Sequence, residues 1–162
     1  MTTQSLVPSR TEPTERIEID SVEPARQVAA LAWRPAEAGV DVLLITSRIS
    51  GNWLLPKGWP MEGLSAVEAA AQEAFEEAGV WGEAVEQPIG AYRYDKLLKD
   101  GSALPCVVDV FAIRMLGLMS DWPEMTQRRR RWYSTIGAAS QVMEPDLARF
   151  LRDCGSLVGG TA

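Results

Sequence analysis

Gly58-Trp59-Pro60-Met61-Glu62-Gly63-Leu64-Ser65-Ala66-Val67-Glu68-Ala69-Ala70-Ala71-Gln72-Glu73-Ala74-Phe75-Glu76-Glu77-Ala78-Gly79-Val80 is the stretch on which the reading of this chain turns. Ser65 and Glu68 form a Ser-x-x-Glu capping box, so a helix starts here. Gly79 suits the left-handed residue that ends one. The spacing predicts a helix over 65–78, roughly 20 Å long. Val67, Ala70, Ala71, Ala74, Phe75 and Ala78 gather on one face at helical periodicity. The alanines let that face sit close to a sheet. Glu73, Glu76 and Glu77, at i, i+3 and i+4, share roughly 100° of arc away from it. Carboxylates so close repel one another, and a hard divalent cation offsets that repulsion. Mg²⁺ takes such oxygens together with waters and phosphate oxygens. Alone, the pattern also describes a solvated acidic face. The preceding Pro56-Lys57-Gly58-Trp59-Pro60 adds a constrained turn, a phosphate-attracting cation and backbone carbonyls, and favours a metal and phosphate site. Glu62 could join from the loop.

Outward from the helix, apolar runs predict strands at 27–33 and 40–46, joined through a longer loop at 34–39. A short extended piece at 53–55 follows the Ser50-Gly51-Asn52 turn. Further strands are expected at 89–94, 106–115 and 131–133. A loop is expected at 96–105 and another at 117–127. Helices at 135–143 and 145–154 close the domain, the second with Pro145 in its first turn and Gly155 as its stop. Residues 1–23, rich in Thr, Ser, Pro and Glu, read as a loose arm with a short edge strand at 16–19. The domain is placed at 24–155 and a frayed tail at 156–162. Strands interleaved with one strong helix and terminal helices predict an α/β class, an α/β/α layering around a mixed sheet.

Composition narrows the chemistry. The chain has 162 residues, a net charge of −6, 46% hydrophobic and 23% charged residues. That suits one domain with a sizeable core. No apolar run approaches a bilayer span, and no secretory leader is read at Met1–Ser5. Two cysteines do not make a disulfide scaffold, so a reducing cytoplasm is the expected location. The absence of histidine removes Ser-His-Asp, Cys-His and His-zinc schemes. Hydrolytic chemistry must then rest on carboxylates, bound metal, Lys or Arg. An acidic domain argues against broad nucleic-acid binding.

The 58–80 stretch resembles the Nudix box: Gly, five residues, Glu, seven residues, Arg-Glu, an apolar residue, any residue, Glu-Glu, any residue, Gly and an apolar residue. Gly58, Glu73, Ala74, Glu76, Glu77, Gly79 and Val80 fill their places. Leu64 stands where the family has its first Glu, and Gln72 where it has Arg. The resemblance implies a Nudix-like α/β/α sandwich and metal-dependent hydrolysis of a diphosphate linkage in a nucleoside diphosphate-X compound. It further implies that Glu73, Glu76, Glu77 and the Gly58 carbonyl hold Mg²⁺, with Mn²⁺ as the other candidate. Glu76 or Glu124, in the late loop, would be the base, with Glu73 also placed among the catalytic residues; Glu124 reads also as a solvent-facing loop acid. A nonhydrolytic sensor on the same fold and an RNA 5′-end pyrophosphohydrolase are the alternatives.

Arg48, Lys57, Arg93, Arg129 and Arg131 are the candidate phosphate-binding residues. The run Arg128–Arg131 could grip several phosphates, with strand alternation letting only about half reach one site, or be a solvated turn or a weak RNA contact. Trp53, Trp59 and Tyr92 are candidates for stacking or for core packing. Asp109, interrupting an apolar strand, would face a groove or pair with a nearby base, or else sit at an edge facing solvent. Arg48–Gly63 and the late Arg-rich segment before Trp132 look most like the branch acting on dinucleoside polyphosphates and diphosphoinositol polyphosphates. The expected partner is a small phosphorylated molecule. Neither a membrane nor a nucleic acid is indicated, and a homo-oligomer is left open.

Overall fold

The computed structural model describes residues 23–158. The expected edge strand at 16–19 lies outside them. The elements run β1 (Ala25–Ala36), β2 (Gly39–Thr46), β3 (Trp53–Leu54), β4 (Lys57–Gly58), α1 (Ala66–Ala78), β5 (Val80–Ala84) and β6 (Gly90–Leu97). Then come β7 (Ala103–Leu118), β8 (Arg130–Ser134), α2 (Thr135–Gln141), α3 (Pro145–Asp153) and α4 (Gly155–Val158). Eight strands form one mixed sheet, with the path β3-β2-β1-β7-β5. β4 adds to β1, β6 to β7 and β8 to β2. β1 and β7 run parallel, and the remaining pairs are antiparallel.

Helices cover both faces, so the central strands are apolar at consecutive positions rather than alternate ones. Val28, Ala30 and Ala32 of β1 pack with Leu43, Ile45, Phe111 and Ile113 against Ala69, Ala70, Ala74 and Ala78 of α1. Ala29 and Leu31 of the same strand join Val42, Leu44, Val108 and Val110 beneath α2, α3 and α4. The small side chains of α1 bring the helix onto the sheet, as its sequence predicts. Its capping box is complete, and Gly79, at φ 63°, supplies the left-handed C-cap.

Several boundaries differ from the sequence reading. The first hairpin is tighter than expected, with β1 continuing through Pro35 to pair Ala36 with Gly39. β6 and β7 likewise extend into the expected 96–105 loop and pair Leu97 with Ala103. β5 begins directly after the helix and was not foreseen. Its Trp81 and Gly82 straddle a register shift against β7, which breaks the alternation that would have marked it. Of the tail expected to fray at 156–162, residues 156–158 belong to a helix, because Val158 is buried with Leu151 and Cys154, and 159–162 lie outside the described residues. Among the described residues no helix is long and apolar enough to cross a membrane.

β1 divides one of its edges. Trp33–Ala36 pair with β2, whereas Val28 and Ala29 pair with Gly58 and Lys57 of β4. The Ala30 amide donates to Pro56 O at 2.9 Å between them. The loop that precedes α1 is therefore bonded to the central strand of the sheet.

Candidate functional site

A cavity of about 430 Å³ opens where β4, the 47–51 turn and α1 meet. Glu73 and Glu77 lie on its wall with Gly58, and Lys57, Lys96, Arg48 and Arg128 also line it. A carboxylate pair and a set of cations thus border one space.

Gly58 is required by close approach. A Cβ built on it would collide with the Glu73 carboxylate. Glu77 is buried, and its Oε2 accepts the Lys57 amide at 3.2 Å. Burial is the largest influence on Glu77 and pushes it up to about 8, against the opposing pull of Arg128. Its hydrogen bond and repulsion with Glu73 add to the rise. Burial likewise raises Glu73 above its ordinary range, with Glu76 and Glu124 adding repulsion. Two carboxylates that resist losing both protons fit a hard cation, which would neutralise them together. Oxygen donors of this kind suit Mg²⁺ or Mn²⁺.

Glu76 is placed differently. It does not line the cavity, and its Oε1 accepts the Gln72 side-chain amide at 2.7 Å. Position 72, where the box has Arg, therefore gives a neutral bond to Glu76. Glu62 and Leu64 are exposed and lie outside the cavity lining.

The lining cations besides Arg128 are Lys57, Lys96 and Arg48. Lys57 Nζ sits 4.8 Å from the centre of the Tyr94 ring. Burial lowers its pKa, and Lys96 lowers it further. Arg48 stands on the 47–51 turn and bonds Gln127 at 3.2 Å. It also approaches Glu124 at 3.6 Å. Arg93 is elsewhere, beside Pro105 and Glu144, with its amide bonded to Asp146.

The arginine run sorts by strand parity. Arg129 and Arg131, the two selected from sequence, stack over Trp53 and Tyr133. Both rings pack on the core beneath α2 and α3, so these arginines face away from α1. Arg128 and Arg130 face α1. Arg130 donates to Ala78 O at 2.8 Å and lies 3.8 Å over the Trp122 ring. Arg128, which sequence reasoning did not single out, donates to Thr46 O at 3.1 Å and pairs with Glu77 at 3.3 Å and Glu124 at 3.2 Å. Trp132 marks the shared parity by packing against the α1 side. With both faces of the sheet covered, that apolar signal does not say which face holds the site.

The loop before β8 is tied to the end of α1. Glu124 N donates to Glu76 O, Trp122 Nε1 to Glu77 O and Met119 N to Gly79 O. Of the stacking candidates, Tyr92 is buried and Trp53 meets Tyr133 edge-on, while Trp59 alone lines the cavity. Asp109 pairs with Arg26 at 3.4 Å on the surface.

No family-level sequence model matches the chain. It is 32% identical over 120 residues to Nudix hydrolase 12, mitochondrial, of Arabidopsis thaliana, covering 70% of this chain and 59% of that protein. It is 31% identical over 125 residues to Nudix hydrolase 13, mitochondrial, of the same plant, covering 72% and 62%. The chain thus spans about three fifths of the length of these curated relatives. A C. elegans Ap4A hydrolase binary complex shares its fold, with a TM-score of 0.64 at 16% identity, over 84% of this chain and 98% of that one. The box-bearing helix, the sandwich around it and these sequence relationships make the chain a member of the Nudix family.

Proposed function

We propose that the chain hydrolyses a diphosphate linkage in a nucleoside diphosphate-X compound with the help of Mg²⁺ or Mn²⁺. The observation that carries this reading is that Glu73 and Glu77 line one cavity together with Lys57, Lys96 and Arg48. Glu73, Glu77 and the Gly58 carbonyl are the groups that would hold the cation. Glu76 joins them by giving up its bond to Gln72. A bound cation supplies charge neutralisation at phosphate oxygens and a more acidic water. Lys57, Lys96 and Arg48 pair with the remaining phosphate charge and orient the substrate. Water attacks one phosphorus, the bridging P–O bond breaks, and Glu76 or Glu124, both outside the cavity lining of the free protein, takes the water's proton. Glu124 stands one guanidinium away from Glu77, through Arg128. Dinucleoside polyphosphates and diphosphoinositol polyphosphates are the favoured substrates.

The test is turnover with Mg²⁺ or Mn²⁺ on dinucleoside polyphosphates, diphosphoinositol polyphosphates, ADP-ribose, nucleoside triphosphates and 5′-triphosphate RNA. The expected result is release of phosphorylated products from one of the first two classes, abolished by Glu73→Gln with Glu77→Gln. One observation favours a second reading. Glu76 is bonded to Gln72 outside the cavity lining, as suits a protein that binds such a ligand without cleaving it. Tight binding with no turnover of any compound would select that reading.

A further inference from the structure

We infer that Arg128, on the approach to β8, is a positioning residue for the site carboxylates. The inference rests on the metal-site reading above and adds a residue that holds the site in shape.

Each of its three nitrogens is committed to a different element. Nη2 meets Glu77 of α1 at 3.3 Å, Nε meets Glu124 of the late loop at 3.2 Å, and Nη1 donates to the carbonyl of Thr46 at the end of β2 at 3.1 Å. The side chains of Arg128 and Glu77 are both 8% exposed. Arg128 lines the cavity, but each of its nitrogens already has a protein partner, two of them carboxylates. Its planar fork fixes where two carboxylates stand relative to each other. The backbone beside it is equally held. Arg129 N donates to Thr46 Oγ1 at 2.8 Å, and Thr46 N donates to Arg129 O at 3.0 Å. Gln72 does not duplicate the function, because its amide bonds Glu76 within the same helix. Arg130, on the same face, meets a backbone carbonyl rather than a carboxylate. Among the described residues, Arg128 is the cation in ion-pair contact with Glu77.

The experiment compares Arg128→Gln and Arg128→Lys with the parent protein, using Mn²⁺ binding without substrate, read by electron paramagnetic resonance, and steady-state kinetics. If Arg128 positions Glu77 and Glu124, Arg128→Gln weakens Mn²⁺ binding at least tenfold. It also lowers kcat at least thirtyfold and leaves KM within about threefold. Arg128→Lys restores charge without the fork and falls between the two. A mere neighbouring charge would behave oppositely, since its loss favours a cation, so tighter Mn²⁺ binding in Arg128→Gln overturns the inference. A tenfold rise in KM with kcat and Mn²⁺ affinity retained also overturns it, by making Arg128 a phosphate ligand. Should Arg128→Gln not fold, Arg128→Lys decides: intermediate losses support the inference and parental values defeat it. If the parent turns over none of the compounds, the hydrolase reading falls, while the Mn²⁺ titration still decides the role of Arg128.

Discussion

Glu77 carries the largest electrostatic tension among the site carboxylates. Its ordinary value is 4.5, and the fold raises it to about 8, chiefly by burial. A raised folded value means that the folded chain binds the proton more tightly than the unfolded one. Its contribution to stability is therefore fully present below pH 4.5 and is lost as pH rises through about 8. With metal chelated, thermal unfolding should shift to lower temperature between those limits. Glu77→Gln should flatten the profile, and Mn²⁺ should restore stability most at the alkaline end. Glu77→Gln should also lower kcat by on the order of 10²–10³, because a cation's electrostatic help in this chemistry amounts to several kcal/mol. Gly58→Ala tests the close approach to Glu73. Overpacking of that kind costs about 1–3 kcal/mol, so a lower Tm should accompany weaker Mn²⁺ binding. Retained Mn²⁺ affinity would show that the carboxylate can move aside without loss.

At the level of elements, α1 is a helix whose C-terminal end is served from elsewhere. Its last turn has no basic residue, although its C-terminal dipole favours one. Arg130 meets that need from β8 by bonding Ala78 O and stacking on Trp122. Arg130→Ala should therefore destabilise the protein by about 1–3 kcal/mol, from one charged hydrogen bond and one cation–π contact. Chemical denaturation measures it, with Arg131→Ala expected to cost less. The helix was legible in the sequence because its information is local: Ser65, Glu68, the alanine face and Gly79 lie within fifteen positions. The role of Arg128 was not, because it depends on the parity of a short strand and on which sheet face α1 covers. Both are long-range facts. β5 was hidden for a related reason, since a register shift and the exposed Trp81 break the alternation that reveals strands. Glu73 and Glu77 were foreseen as neighbours of the site, but the rotation of Glu76 toward Gln72 depends on a side-chain bond that spacing alone does not choose.

For the whole molecule, two cores share one sheet, and the site belongs to the α1 side. Damage on the far side should lower stability without first altering the chemistry. Leu151 of α3 is fully buried, and Leu151→Ala should cost about 2–5 kcal/mol. Its Mn²⁺ affinity measured well below the melting temperature should stay near that of the parent. An equal loss of Mn²⁺ affinity would mean that the two sides are coupled through the sheet. Tyr92 offers a second probe of that side. Its buried hydroxyl has no hydrogen-bond partner among the described residues. Tyr92→Phe should therefore leave stability unchanged or raise it slightly, whereas a loss above about 1 kcal/mol would reveal a bond that the hydroxyl makes.

The divided edge of β1 separates what can vary from what cannot. Lys57 and Gly58 are laced to the most central strand of the sheet, while Arg48 rides on the 47–51 turn at the cavity wall. Changes of ligand preference could thus accumulate along that turn by exchanging its residues, with the anchorage beneath left untouched. A swap of residues 47–52 alone should alter which compound is accepted and spare the affinity for Mn²⁺.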